Sequence, residues 1–375
     1  MRVALELQPC CGNRSGIGLY TYEIAKRLRD ADGLEFGGNL FNFCGRNDNS
    51  AALQGIEMPI NESWIFPYGV YRRVWDFLPI PYQSLFPQKA DLSVFFNYIV
   101  PPRIQGRVIT TIYDMTYLRV PETMNQKNLR RIKNGIQYSV ERSDHIVTIS
   151  EFSKREICTL LDVPEEQVSI VYSAPAQFGP AAEWETVAKK FQITKPYILY
   201  VGTIEPRKNL ARLIRAFDRL KCENKIPHQL VLAGGSGWQN EGIHRAANQA
   251  VWKQDILFTG YISQGEKNAL YQHASAFAFP SLYEGFGMPP LEAMHFDCPV
   301  VCADAASLPE VVGDAARLVD PLDEVSIAEG LWHVLSDEEY AANLIQTGRG
   351  QKNKFTWDES ARRLTEICKR VLDKT

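Results

Sequence analysis

Residues 276–294 read Ala276-Phe-Ala-Phe279-Pro-Ser-Leu-Tyr-Glu284-Gly285-Phe286-Gly287-Met288-Pro289-Pro290-Leu291-Glu292-Ala293-Met294. The first four residues form an unbroken apolar run, as in a strand buried on both faces, and a short helical pattern follows the turn. A strand, a glycine-bearing turn and a helix start together offer backbone N–H groups to an anion. Gly285 and Gly287 lack a Cβ, so this turn can approach a ligand closely. Pro290 suits the first helical position and Pro289 is expected just outside the helix. Neither proline has an N–H, so donors toward a ligand come from Gly285, Phe286, Gly287, Met288 and Leu291. Glu284 then falls in the turn and Glu292 in the first helical turn, facing different parts of one pocket. Alone, Glu292 reads as a complement to the helix dipole and Glu284 as solvated loop. Together, with Gly-Phe-Gly between them, they read as ligand contacts: a carboxylate accepts two hydrogen bonds and so matches a vicinal diol.

Outward from this stretch the same alternation repeats. Toward the C-terminus, short buried-type strands are expected at 197–201, 229–233, 256–258, 276–279, 300–302 and 317–319, with helices between them and near 324–335, 337–352 and 358–373. In the first half, strands are expected at 3–7, 91–98, 107–113, 144–149 and 168–172, and helices at 17–29, 124–142 and 152–161. Between 173 and 195 the pattern breaks at Ala174-Pro-Ala-Gln-Phe-Gly-Pro-Ala-Ala182, which marks a domain boundary near 177. Two parallel α/β sheets in tandem account for the whole.

The chain has 375 residues, long for one core and suited to two domains. A net charge of −3 gives no support for nucleic-acid binding. No apolar run reaches the roughly 18–20 residues of a membrane span, and the opening Met1-Arg-Val-Ala-Leu-Glu reads as a strand rather than a signal peptide. Eight scattered cysteines without a Cys-x2-Cys pair suit reduced thiols and a cytoplasmic location. Asp30-Ala-Asp32 is the one Asp-x-Asp and reads as a solvated turn, so no metal is expected.

Three other places carry chemistry. Cys11-Gly-Asn-Arg-Ser-Gly16-Ile-Gly18 suits a phosphate-facing loop, but Thr21 stands where a dinucleotide fingerprint has its third glycine, which argues against a dehydrogenase. Asp114 follows an apolar β-branched run, at the strand end where open α/β sheets keep ligands. Gly202-Thr203-Ile-Glu-Pro-Arg207-Lys208-Asn209 sets adjacent cations at a strand-to-helix junction, a fork and a point charge that oppose a diphosphate. Residues 46–88, rich in aromatics and prolines, read as a lid packed on the first domain or as an acceptor surface. The cations Lys127, Arg130, Arg131 and Lys133 read as a solvated face or as peripheral contact with an anionic membrane.

The Glu284-x7-Glu292 segment resembles the EX7E signature of retaining glycosyltransferases of the GT-B fold, family 4. The resemblance implies an α/β protein of two Rossmann-like domains with parallel sheets facing across a cleft. Residues 1–177 would form the acceptor side and 178–355 the nucleotide-sugar side, with the helix of 356–375 crossing back to the first domain. It further implies that Glu292 holds the nucleotide ribose and that Glu284 lies beside the donor sugar. Arg207 and Lys208 would bind the diphosphate, with Thr203 where some members carry an arginine, and Gly16 would face the same group. Gly202 begins that loop, while Tyr261 and Ile262 would line the nucleobase. Members commonly have His-Asp where this chain has Tyr113-Asp114, so either residue substitutes or the sugar contact differs. The segment from Asp304 to Ala316 is expected to support the glutamate loop. Ser-Gly-Ile-Gly-Leu-Tyr at 15–20, taken with the glutamate stretch, is similar to mannosyltransferases of bacterial surface polysaccharide assembly. The implied donor is GDP-mannose, a co-substrate rather than a cofactor; dTDP-rhamnose, UDP-glucose and UDP-N-acetylglucosamine are the alternatives. The implied acceptor is a glycan or lipid-linked saccharide. An inactive nucleotide-sugar-binding partner subunit is the reading of another class.

Overall fold

The structure, a computed structural model, describes residues 1–11, 16–31, 33–75, 77 and 80–373. Residues 12–15 of the glycine turn and Asp32 of the Asp-x-Asp lie outside them. The chain divides into two compact units, one of Met1–Met115, Gln126–Ala176 and Thr356–Thr375, the other of Thr116–Asn125 and Gln177–Phe355.

In the first unit the strands are β1 (Arg2–Glu6), β2 (Glu35–Phe41), β3 (Ile60–Ser63), β4 (Leu92–Phe95), β5 (Arg107–Thr111), β6 (His145–Thr148) and β7 (Val168–Ile170). Among the described residues they form one parallel sheet in the order β3-β2-β1-β4-β5-β6-β7. Sequence periodicity misses β2 and β3. Two adjacent glycines in Glu35-Phe-Gly-Gly-Asn-Leu-Phe41 argue against a strand, yet packing demands one of them: a Cβ on Gly38 would run into the Leu7 and Ile60 side chains. The helix Gly16–Ala25 stops short of the expected residue 29. Part of the 46–88 stretch packs on the sheet, as the lid reading expects. Tyr71, Tyr82, Leu85 and Phe86 join Phe41 and Phe95 in one buried cluster, with the Phe41 and Tyr71 rings 5.1 Å apart.

The final helix, Trp357–Asp373, belongs to this unit. Its apolar stripe of Trp357, Leu364, Ile367, Cys368 and Val371 is buried. Trp357 Nε1 donates to Pro175 O at 2.9 Å and its ring meets that of Tyr20 edge-on at 5.7 Å.

In the second unit β8 (Tyr197–Val201), β9 (Gln229–Ala233), β10 (Ile256–Gly260), β11 (Ala276–Phe279), β12 (Val300–Ala303) and β13 (Ala316–Val319) form a parallel sheet in the order β10-β9-β8-β11-β12-β13. The supposed break of 173–195 contains a helix, Trp184–Phe191. Its proline-rich lead-in hides it, but Trp184 stacks on Tyr197 and His273 at 5.8 and 4.2 Å and Val187 is buried. In both sheets the chain runs outward in one direction, returns to the first strand and continues the other way. The reversal lies between β1 and β4 in one sheet and between β8 and β11 in the other, and such points leave a crevice at the carboxyl ends of the strands.

Candidate active site

At the reversal in the second sheet, the loops after β8 and β11 are stitched together. Leu282 N donates to Arg207 O at 2.9 Å. The Asn209 amide donates to Pro280 O at 3.0 Å and to Pro321 O at 2.6 Å. Asn209 holds φ 61° to turn the chain into the helix Leu210–Asn224. The stitching brings Arg207, Lys208 and Glu284 into one network. Lys208 Nζ lies 2.6 Å from Glu284 Oε1 and Arg207 Nη1 2.7 Å from Glu284 Oε2. Ser281 Oγ donates to Glu284 Oε1 at 2.5 Å, and Arg207 Nη2 reaches Glu205 Oε1 at 2.8 Å.

Lys208 and Glu284 are both 8 % exposed and Glu205 is 3 % exposed. Burial would raise the Glu284 carboxyl, but Arg207 and Lys208 outweigh it and hold the group at about 2. Burial in turn lowers the Lys208 ammonium against the pull of Glu284. Two carboxylates thus balance two cations. The sequence placed the cations on phosphate and Glu284 on sugar; the structure sets Glu284 directly on the cations.

Glu292 stands apart from them. The helix is Met288–His295, with Gly287 at its N-cap in the left-handed region at φ 103°. Pro289 is therefore inside the first turn, where a missing N–H goes unfelt, and Glu292 lies two residues further in than expected, past the first turn. The dipole reading of Glu292 falls with that correction. Instead Lys267 Nζ lies 2.9 Å from both carboxylate oxygens and the Tyr271 hydroxyl donates to Oε2 at 3.1 Å. Both partners come from the helix Gln264–His273, four residues apart on one face. Sequence reading missed Lys267, Tyr271, Ser281 and Glu205; only the i, i+4 spacing of Lys267 and Tyr271 offered a signal.

The remaining positions divide by burial. Phe286 packs edge-on against Phe355 at 5.2 Å and Leu291 is fully buried, so both are core side chains. Ser307 Oγ lies 2.9 Å from the carbonyls of Glu284 and Phe286, and a Cβ on Gly287 would strike Leu308. The 304–316 segment thus supports the glutamate loop, as expected. Gly202 takes φ 154° and Thr203 is exposed. Gly234, also missed, packs on Gly202 so closely that any Cβ would collide with Gly202 O. Its signal was Ala233-Gly-Gly-Ser-Gly237 directly after an apolar run. At the end of β10, Gly260 holds φ 68°. Tyr261, next to it, is 87 % exposed, and Ile262 is half-buried.

Gly16, Tyr113 and Asp114 lie in the first unit. Gly16 opens its helix, and an added Cβ there would meet nothing within 4 Å among the described residues. Tyr113 turns inward: its hydroxyl donates to Phe96 O at 3.1 Å and its ring meets Tyr20 at 5.4 Å. That leaves Asp114, half-buried and accepting from the Tyr98 hydroxyl at 3.2 Å, as the candidate polar contact. Among the described residues no group of three or more His, Cys, Asp or Glu could hold a metal ion. No helix among them is long and apolar enough to cross a membrane.

The profile of the family described as glycosyl transferases group 1 matches residues 184–351. O-antigen chain mannosyltransferase B of Escherichia coli is 30% identical over 380 residues, 96% of this chain and 97% of its own. O-antigen chain mannosyltransferase RfbU of Salmonella typhimurium is 28% identical over 225 residues, 60% of each chain. Among solved structures, sucrose-phosphate synthase of Thermosynechococcus elongatus covers the whole of both chains with a TM-score of 0.73 at 17% identity.

Proposed function

The chain belongs to the group 1 glycosyl transferases, with two parallel Rossmann-like sheets of the GT-B kind, and from that premise we propose that it is a retaining, metal-independent mannosyltransferase. Its donor is GDP-mannose and its acceptor a glycan or lipid-linked saccharide in surface polysaccharide synthesis. It works in the cytoplasm, with the basic helix Gln126–Arg142 available for contact with anionic lipid. The O-antigen mannosyltransferases, one of them matched over nearly its full length, support the sugar.

The observation that carries this reading is the buried Arg207–Lys208–Glu284 network at the sheet reversal, with Glu292 on the next helix. Transfer breaks the C1–O bond to the diphosphate, through a transition state of oxocarbenium character with negative charge growing on the leaving phosphate. Preorganised cations and N–H groups aimed at that phosphate are the expected main catalytic contribution. Arg207, Lys208 and the backbone of 285–288 supply them here, taking the part a metal plays elsewhere. When the pyrophosphate arrives, Glu284 exchanges its cations for sugar hydroxyls, while Glu292 accepts from the ribose. Gly202 and Thr203 let the phosphates approach, and Tyr261 and Ile262 meet the base. Departing diphosphate oxygen takes the proton of the incoming acceptor hydroxyl, which bonds to C1 on the face that the diphosphate leaves.

Thermal shift against GDP, UDP and dTDP tests the base, since a bound nucleotide stabilises by mass action. Donor-dependent release of GDP with a mannosyl acceptor, unaffected by EDTA, tests the chemistry. A nucleotide that binds without release would favour the inactive partner subunit, and a larger shift with UDP or dTDP would displace GDP-mannose.

A further inference from the structure

The room that Glu292 has left for a ligand can be counted. A carboxylate offers about four lone pairs, shared equally by its oxygens. Lys267 Nζ lies 2.9 Å from Oε1 and 2.9 Å from Oε2, so its ammonium takes one on each. The buried Tyr271 hydroxyl takes the other on Oε2, at 3.1 Å. Among the described residues the carboxylate has no further partner, which leaves a single lone pair, on Oε1. A vicinal diol brings a pair of hydroxyls, and Glu292 by itself can accept from one of them. Each hydroxyl also carries lone pairs of its own, to which a carboxylate has no N–H to give.

We infer that Lys267 reads the second hydroxyl: one ribose hydroxyl donates to Glu292 Oε1, and its neighbour accepts the remaining N–H of Lys267 Nζ. Lys267 is then a specificity-determining residue, and the inference rests on the reading that Glu292 holds the ribose. An ammonium has a third N–H to offer once the carboxylate has engaged the others. The Lys267 side chain is 18 % exposed and that of Glu292 10 %, so neither is sealed from a ligand. The helix that carries Lys267 begins directly after Tyr261-Ile262, and its place is fixed. Ser263 and Glu266 cap its start reciprocally, and the Asn268 amide donates to Gly179 O at 2.8 Å. Lys190 lies 2.5 Å from Glu266, which keeps that carboxylate occupied and away from Lys267. A lysine that merely balanced the charge of Glu292 would predict the opposite sign. Its removal would free lone pairs for the diol and tighten nucleotide binding.

The test is calorimetry of the full chain with GDP and UDP. Whichever binds more tightly is then compared with its analogues lacking the 2′ or the 3′ hydroxyl, and with those carrying fluorine in its place. Loss of either hydroxyl should weaken binding to the wild type about tenfold. Lys267→Met should bind the parent nucleotide about tenfold more weakly, and in it the loss of one hydroxyl should cost less than about threefold while the loss of the other still costs about tenfold. Should Lys267→Met fail to fold, the fluoro analogues decide on the wild type, because fluorine accepts but cannot donate. At one position the fluoro analogue should bind better than the deoxy analogue, and at the other the two should bind alike. Tighter nucleotide binding by Lys267→Met, both hydroxyl penalties intact in it, or fluoro analogues no better than deoxy at both positions would overturn the role of Lys267 and leave Glu292 on the ribose. A wild type indifferent to both hydroxyls, wild-type affinity in Glu292→Ala, or binding of neither nucleotide would overturn the ribose reading and this inference with it.

Discussion

Glu284 touches Arg207, Lys208 and Ser281 at once. Because its carboxyl is held at about 2 rather than the ordinary 4.5, the ionised form contributes stability above pH 4.5 and loses it as pH falls toward 2. Glu284→Gln should therefore unfold at lower urea than the wild type at pH 7, with the gap narrowing by pH 3; a gap that ignores pH would separate Glu284 from its cations. The same substitution releases positive charge toward a phosphate. GDP should bind Glu284→Gln more tightly by calorimetry while mannosyl transfer slows, and weaker GDP binding would contradict the exchange of partners. If Glu292 holds the ribose as proposed, Glu292→Ala removes a charged diol contact worth roughly 1.5–3 kcal/mol and should raise the donor KM tenfold or more. A wild-type KM would take Glu292 out of the site. Glu284 and Arg207 were legible because each sits beside glycine or proline in a loop that follows an apolar run. Contact between Glu284 and the cations was not legible, since nothing in the spacing of 208 and 284 says that two loops 76 residues apart are stitched side by side.

Elements were readable wherever burial imposed a period. The strands β8, β11 and β12 appear where unbroken apolar runs predict them, because a strand covered on both faces has no need of polar positions. β2 was lost because Gly38 suits close approach to Leu7 and Ile60 rather than strand propensity. The helix Trp184–Phe191 was lost to its proline-rich approach. Glycines that hold loops are more exacting. Gly234 has φ 149°, and its missing Cβ is replaced by the Gly202 carbonyl. Gly234→Ala should cost about 3 kcal/mol or more of unfolding free energy by urea titration, since it combines backbone strain with a collision against rigid backbone. It should also weaken GDP binding, because the 202–208 loop must move. Full stability in this variant would show that the loop tolerates displacement.

Two units with separate sheets and cores make a single unfolding free energy a poor description of the whole molecule. GDP at a hundredfold excess over its Kd should stabilise the second unit by about 2.7 kcal/mol. Calorimetry should show one of two transitions rising with GDP and the other unmoved, and Glu292→Ala should abolish the rise. Two transitions rising together would mean that the units unfold as one. Deleting residues 357–373 should lower the other transition, because that helix buries Trp357 against Tyr20 and joins Ser360 to Tyr172 O at 2.7 Å. The docking of this last helix on the first unit also sets an order of assembly. As the chain leaves the ribosome, the opening sheet is translated early, but the helix that covers one flank of it emerges only after the second unit. The half that is begun first is thus completed last, and its apolar flank stays uncovered until translation reaches Trp357.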